Sequence, residues 1–285
     1  MANLLISYIS QSDLAGLGYT LTSADTDAVN RVVRNATAQV EAVTLRRFNY
    51  EQDITERHQV YTKNGTIRIY PKQYPVVSVS NVTVYWTTYP VATIDVTRSV
   101  FINNFDDYVE CNLSGDLNVM FPYYGVYAGN SLNKVAVSIT YTHGDYQTES
   151  YDIPVTAPFE ASVQDADYGY YSTLEVTDGT VVYTSVSTST PTLTGTYYVN
   201  DGVYTFASAD AGKSVNITYS FIPEDIRQAT ILTAQPLLDD YFFAINSNFG
   251  MAESISDGNR KVVRRDTTKM PDMAREICMR NKRVR

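Results

Sequence analysis

A stripe of apolar residues at helical spacing, between Asp25 and Phe48, is the feature that most constrains this chain. Its members recur every three or four positions, at Val29, Val32, Val33, Ala36, Val40 and Val43. That period is typical of a helix that buries one face and exposes the other. Valine loses rotamer freedom in a helix, so this segment needs a packing partner to be stable.

A second helix is predicted at 223–245, and it is the natural partner of the first. It begins at Ile222-Pro223-Glu224-Asp225, where a proline and two acidic residues favour a helix start. One apolar stripe comprises Ile226, Ala229, Thr233, Leu237 and Tyr241, and another comprises Ile231, Ala234, Leu238 and Phe242. A helix that is apolar on two sides is usually buried on two sides. Pro236 is expected to kink or divide it.

After Phe48 the period of the apolar residues changes from 3.6 to 2, which predicts strands. They are expected at 54–61, 66–70, 76–86, 91–96, 108–112 and 134–142. Asn64-Gly65 is typical of a hairpin turn. The 24 tyrosines of the chain, together with many valines and threonines, fit half-buried strands. The segment 121–130 is expected to form an exposed aromatic loop.

Two distant strands are almost the same in sequence. Val137-Ser-Ile-Thr-Tyr-Thr142 resembles Val215-Asn-Ile-Thr-Tyr-Ser220, and hairpin signals lie between them at Asp178-Gly179 and Asn200-Asp201-Gly202. One interpretation is an inserted β-domain at 152–221, whose flanking strands leave and rejoin a parent sheet. The alternative is chance similarity, because strand composition is repetitive.

These elements predict an α+β fold. Its helical stem is the helix near 25–48 packed on the helix near 223–245, and a β-sheet excursion lies between them. The predicted domains are a core of 1–151 and 222–249, the inserted β-domain at 152–221, and a basic C-terminal arm at 250–285 that ends in a short helix.

The arm differs from the rest of the chain in charge. Residues 257–285 contain ten basic and four acidic residues, a net charge of +6. The other residues carry −15, which gives the chain its net charge of −9. Such asymmetry is typical of an interaction segment. An apolar stripe in the terminal helix comprises Met270, Met273, Ala274, Ile277 and Cys278. It can dock on another surface or fold back on its own domain.

The sequence shows little that indicates chemistry. His58 and His143 stand apart from any metal-binding or nucleophile motif, and the latter is expected in a turn. No cofactor or metal site is predicted, and the protein is not expected to be an enzyme. The two cysteines do not form a disulfide framework, which indicates a reducing compartment at synthesis. No signal peptide or membrane segment is predicted, and the acidic body argues against specific DNA reading.

Several phrases in a fixed order carry a family resemblance. VEAVTLRRF ends the first helix, and ERHQVYTKNGTIRIYPKQYPVVSVSNVTVYW follows it. A strand ending in ITY then precedes IPEDIRQATILTAQPLLDDYF. This order, over about residues 20–90, 134–146 and 215–245, resembles the head–tail connector (adaptor) proteins of tailed bacteriophages. The insertion at 152–221 and the proline within the last helix depart from that family's pattern.

The resemblance implies a virion neck protein, made in the host bacterial cytoplasm, that forms a ring of about twelve copies. DNA passes through the ring without being read. The ring joins the portal to a downstream stopper or tail-terminator protein, and the insertion could carry fibre or collar proteins. The implied portal contacts are Arg264, Arg265, Met270, Met273, Ile277, Arg280 and Arg283. The implied stem and inter-subunit residues are Val29, Val32, Val33, Val40, Val43, Ile226, Leu237 and Tyr241.

Two other function classes stay open on the sequence. The chain could be a receptor- or carbohydrate-binding virion protein that uses its Tyr-rich β-domain for recognition. A hydrolase would need a compact group of reactive side chains around His58 or His143.

Overall fold

Strands make up most of the regular structure of this protein. The computed structural model describes residues 7–19, 25–63, 66–88, 91–95, 97–112, 134–164, 169–246, 254–257, 260–263 and 270–282. It is 41% strand and 27% helix, with four sheets among the described residues. The predicted fold class, α+β built on a helical stem, is therefore wrong. Val-, Thr- and Tyr-rich segments between 51 and 221 form paired sheets rather than an excursion from two helices.

The helices of the described residues are α1 (Gln11–Ala15), α2 (Thr26–Thr44), α3 (Glu224–Asn246) and α4 (Asp272–Arg280). The first eight strands are β1 (Glu51–Lys63), β2 (Thr66–Ile69), β3 (Val76–Thr88), β4 (Val91–Asp95), β5 (Val100–Asn103), β6 (Tyr108–Asn112), β7 (Lys134–His143) and β8 (Tyr146–Asp152). The others are β9 (Glu160–Ser162), β10 (Tyr170–Thr177), β11 (Thr184–Ser185), β12 (Thr196–Asn200), β13 (Val203–Phe206), β14 (Ser214–Phe221), β15 (Ser254–Asp257) and β16 (Arg260–Val263). The predicted Asn64-Gly65 turn and the 121–130 loop lie outside the described residues.

The chain divides into two units, and the predicted three-part division of the domains stays a prediction. The first unit comprises Met1–Arg46 and Thr148–Arg285, and the second comprises Arg47–Gln147. The second unit contains a seven-stranded sheet in the order β4-β3-β7-β1-β2-β6-β5. One face of this sheet is its core: Val60, Ile67, Ile69, Val76, Val82, Val84, Val109, Cys111, Val135, Val137, Ile139 and Tyr141 are buried together.

In the first unit, α2 and α3 pack against each other. Their shared core contains Val29, Val33 and Ala36 from α2, and Ile231, Ala234 and Leu238 from α3, together with Ile9 and Leu14. Pro236 does not divide α3, which continues to Asn246. The buried Thr230 and Thr233 hydroxyls donate hydrogen bonds of 2.8 and 2.7 Å to carbonyls four residues earlier in this helix.

The β-structure of the first unit is a three-stranded sheet (β10-β14-β8) and a four-stranded sheet (β11-β12-β13-β9). Their side chains form one core, in which Tyr183, Tyr197, Tyr204, Phe206 and Tyr219 are buried with Val and Ile residues. Aromatic rings therefore fill much of this small core. β15 and β16 form a separate antiparallel hairpin.

Two three-stranded groups in the chain share one topology. The first module is β3-β7-β1 and the second module is β10-β14-β8, and in each the last strand in sequence is central. The register of β3 against β7 shifts twice, once opposite residues 142 and 143 of β7 and once opposite residues 140 and 141. β10 shifts opposite the 220/221 and 218/219 steps of β14. These steps fall at equivalent places in the two similar phrases, 137–142 and 215–220, so the β-bulges are shared as well.

The two similar strands are thus the centres of two separate sheets. The prediction that they leave and rejoin one parent sheet is wrong. The local sequence is similar because both strands are buried between two neighbours and lie opposite a bulged neighbour at the same steps. Sheet membership depends on partners distant in sequence, and the phrases alone do not specify those partners.

Candidate functional site

A buried carboxylate lies within the first module. Glu56 on β1 is 8% exposed, and its Oε1 accepts a hydrogen bond of 2.8 Å from the Tyr141 hydroxyl on β7. Its Oε2 lies 2.7 Å from His58 Nε2 and accepts the Lys72 backbone N–H at 3.0 Å. The Tyr141 hydroxyl in turn accepts the Gln73 N–H at 3.1 Å. Glu56 thus joins two strands and the segment that precedes β3.

The environment of Glu56 favours its ionised form. Burial by itself would raise the pKa of this carboxyl, but hydrogen bonds from His58, the Lys72 N–H and Tyr141 outweigh that effect and lower the pKa. Both carboxylate oxygens are occupied by donors from the protein. The group is therefore suited to holding strands together rather than to exchanging protons with a substrate.

The second module contains an equivalent cluster around Glu149 on β8. The Tyr219 hydroxyl on β14 donates to Glu149 Oε1 at 2.5 Å, and the Tyr151 hydroxyl donates to Oε2. The Gln164 N–H donates to Oε2 at 3.1 Å. Tyr219 occupies the position in its phrase that Tyr141 occupies in the first. In both modules a glutamate on the flanking strand therefore binds the buried tyrosine of the central strand.

The threonine before each glutamate also makes an equivalent contact in the two modules. Thr55 and Thr140 have hydroxyl oxygens 2.9 Å apart across β1 and β7, and those of Thr148 and Thr218 are 2.9 Å apart across β8 and β14. A Thr-Glu pair followed two residues later by a ring, at 55–58 and at 148–151, was the sequence signal for these clusters. The similar central strands alone did not reveal it.

We expect Tyr141→Phe and Tyr219→Phe each to lower the free energy of unfolding by about 1–2 kcal/mol, since each removes a hydrogen bond to a buried or half-buried carboxylate. Tyr61→Phe, at an exposed side chain of β1, should change it by less than about 0.5 kcal/mol. Scanning calorimetry of the three variants measures this. A neutral result at Tyr141 or Tyr219 would show that the two clusters are not equivalent.

Neither histidine is isolated in the folded chain. His58 contacts Glu56, and His143 is fully buried at the end of β7, so its expected position in a turn is wrong. The His143 and Tyr141 ring centroids are 6.3 Å apart, and His143 Nε2 lies 3.8 Å from Glu51 Oε2. His143 therefore lies in the buried interior of the second unit, and His58 is bound to the buried Glu56. Within the described residues, no group of three or more His, Cys, Asp and Glu side chains could hold a metal ion.

The two cysteines are free and buried. Burial raises the pKa of Cys111 to about 12 and that of Cys278 to about 11. Because the thiolate is the reactive form, neither thiol is activated as a nucleophile.

Helix α4 packs on its own unit. It contacts α3 and α2, Ala274 and Cys278 are fully buried, and Asn281 Nδ2 donates to Asp225 Oδ2 at 2.5 Å. Of the residues predicted to contact the portal, Met273 is 64% exposed. Arg280 is exposed and lies 2.7 Å from Glu276, and Met270 and Ile277 are half-buried. Arg264, Arg265 and Arg283 lie outside the described residues.

The predicted stem residues fall into two groups. Val29, Val33, Val40 and Ile226 are buried within the first unit, and Val32, Val43, Leu237 and Tyr241 are half-buried. The Tyr241 hydroxyl donates to Asp25 at 3.2 Å. The opposite face of α2, which includes Arg31, Arg34, Asn35, Ala38 and Ala42, is exposed.

A cleft of about 460 Å³ lies in the first unit, between the segment before α1 and the start of β10. Its walls include Ser10, Asp13, Tyr170, Asp201 and Arg227. Arg227, from the phrase that begins α3, forms an ion pair with Asp13 of α1, and both side chains are largely buried. This pair explains the arginine of that phrase as a contact between two helices.

The outer face of β2, β6 and β5 in the second unit is unusually aromatic, and sequence reasoning missed it. Arg68, Glu110 and Phe101 lie in one row across the three strands. Arg68 Nε donates to Glu110 at 2.7 Å, and its guanidinium lies 4.6 Å from the Tyr108 ring centroid. On the other face, Ile67, Ile69, Val109 and Cys111 are buried.

With this geometry established, no family model and no curated protein matches the chain. Among the described residues, no helix is long and apolar enough to cross a membrane.

Proposed function

We propose that this protein is a structural component of the neck of a tailed bacteriophage. It would form a ring, of about twelve copies, that joins the portal to the next neck or tail protein while DNA passes through the centre. The observation that carries this proposal is the fixed order of the phrases that resemble head–tail connectors. The proposed role is in assembly rather than catalysis, because the Glu56 and Glu149 carboxylates already accept hydrogen bonds from the protein itself.

Residues of these phrases are buried or paired, which suits a structural role. Phe48, which ends VEAVTLRRF, is 1% exposed, and Ile226 in IPEDIR is fully buried. Arg227 binds Asp13. Helices α2 and α3 share a core, and the outward face of α2 is left for neighbouring copies.

On this proposal, the exposed side of α4 faces the portal. Met273 and Met279 are exposed there beside Arg275 and Arg280. Flexible methionine side chains suit a contact between two rings that must adapt to each other, and arginines suit carboxylate or carbonyl acceptors. The inward side of α4 is already packed on α3 and α2, so α4 can present this surface without unfolding from its unit.

The receptor- or carbohydrate-binding alternative loses part of its support within the described residues. It relied on the tyrosines of the 152–221 region as a recognition surface. Tyr183, Tyr197, Tyr204 and Tyr219 are instead buried, where they fill the core of the first unit.

Native mass spectrometry of the purified chain, alone and mixed with the portal protein of the same phage, tests the proposal. We expect a ring mass on the portal, and Met273→Asp should weaken portal binding at least about tenfold, as for a contact worth 1.4 kcal/mol. Val155→Asp is the matched control, because Val155 is an exposed apolar residue of the same unit. A chain that stays monomeric and does not bind portal would refute the proposal.

A further inference from the structure

The outer face of β2, β6 and β5 exposes aromatic rings beside carboxylates. Tyr70 is 53% exposed, Phe101 63% and Phe105 94%. Tyr70 packs edge-on against Tyr108, with ring centroids 6.0 Å apart. We call Arg68, Tyr70, Phe101, Phe105, Tyr108 and Glu110 the aromatic face. Contiguous exposed rings of this kind are typical of an interaction site, since folded proteins otherwise bury them.

The face already holds one guanidinium group in a defined way. Arg68 lies over the Tyr108 ring while it donates to Glu110. A guanidinium between a ring and a carboxylate combines a cation–π contact with a charge-assisted hydrogen bond. Phe101 stands opposite Glu110 on the next strand, and Phe105 precedes Asp106 and Asp107 in the β5–β6 turn. Phe101 and Phe105 thus also have carboxylates as neighbours, Glu110 across the strand pair and Asp106 and Asp107 along the chain.

The C-terminal arm contains a basic, arginine-rich segment, whose side chains can bind rings and carboxylates. Residues 260–269 contain Arg260, Lys261, Arg264, Arg265 and Lys269 against the single acid Asp266, a net +4. The rest of the chain outside 257–285 carries −15. Charge complementarity between a basic segment and an acidic body favours association between copies.

We infer that the aromatic face of one copy binds the arginine-rich segment 260–269 of a second copy. This inference rests on the proposed ring, which brings copies side by side, and it deepens that proposal by naming a contact between them. It assigns Arg264 and Arg265 to a contact between copies, in place of the portal contact that the family resemblance implies. Met273, Ile277 and Arg280 keep their proposed position at the portal.

A fluorescent peptide of residues 258–270, titrated into the full-length protein and followed by anisotropy, tests this contact. We expect saturable binding at about 0.1 M salt that weakens as salt increases, because exposed charges are screened. The double variant Phe101→Ser/Phe105→Ser should weaken binding about tenfold, the loss of two exposed cation–π contacts. A peptide in which the three arginines are replaced by alanine should not bind.

Leu193→Ser is the matched control, since Leu193 is an exposed apolar residue of the first unit, and it should bind the peptide as the wild type does. No saturable binding, or binding that the double variant leaves unchanged, would overturn the inference. A face that holds a glycan instead would give the first of these results. The ring mass on the portal is measured separately, so ring formation without peptide binding refutes this contact alone, and peptide binding without a ring refutes the proposed function.

Discussion

Replacing Gly144 by alanine is expected to destabilise the second unit by about 3 kcal/mol or more. Gly144 has φ +118, a conformation that side chains rarely adopt. An added Cβ would lie 2.5 Å from Tyr50 Cα and 2.9 Å from the Asn49 carbonyl oxygen. Both neighbours are backbone atoms, so the clash is relieved only if the segment before β1 or the β7–β8 connection moves. The Gly144 N–H also donates to the Pro75 carbonyl at 3.1 Å, and that movement would disturb this bond.

Trp86, the one tryptophan of the chain, lies on β3 of the second unit, so denaturation followed by its fluorescence measures this effect. Gly179→Ala is the control, because Gly179 has φ +86 but nothing within 4 Å of an added Cβ. That variant carries only the cost of the left-handed backbone, about 1–2 kcal/mol, and scanning calorimetry should show it in the unfolding of the first unit. Equal losses for the two variants would show that the contact with Tyr50 and Asn49 does not contribute.

The helices were the part of the fold most accessible from the sequence. The valine stripe predicted α2, and the proline and acidic residues at 223–225 predicted the start of α3, because these signals depend on residues close together in the chain. The packing of α2 on α3 followed from two complementary apolar faces. The error was to make this pair the organising stem, since pattern alone does not show how much of the chain pairs into sheets.

Sheet membership was not accessible in the same way. The strands at 137–142 and 215–220 look alike because each is central and buried and lies opposite a bulged neighbour at the same steps. Which neighbours each strand takes is decided by pairing over long sequence distances, and a single sequence does not record those pairs. One parent sheet and two separate modules therefore give the same local pattern.

The candidate sites were missed for a related reason. Glu56 and Tyr141 are 85 residues apart, and Glu149 and Tyr219 are 70 apart, so neither pair forms a motif. Charged residues are rarely buried, so the sequence alone does not indicate that either glutamate is buried or half-buried. The aromatic face was missed because alternation in a strand distinguishes two faces but does not show that Phe101 lies on the exposed one.

Glu56→Gln is expected to lower the free energy of unfolding of the second unit at neutral pH by about 2 kcal/mol. The amide offers one acceptor oxygen where the carboxylate offers two, so the Tyr141 hydroxyl or the Lys72 N–H loses its partner in a buried site. Glu110→Gln is the matched control in the same unit. It breaks the exposed pair with Arg68, which is worth less than about 1 kcal/mol.

The effect of Glu56→Gln should also depend on pH. The folded chain holds the pKa of Glu56 below its ordinary value of 4.5, so the ionised carboxylate is more favourable in the folded than in the unfolded state. This contribution is present in full above the ordinary pKa and is lost as the pH falls through the lowered pKa of the folded protein. The wild type and the variant should therefore differ most near pH 7 and converge in acid. Denaturation followed by Trp86 fluorescence at several pH values measures this, and a difference that grows as the pH falls would contradict the assignment of Glu56 as an ionised, hydrogen-bonded group.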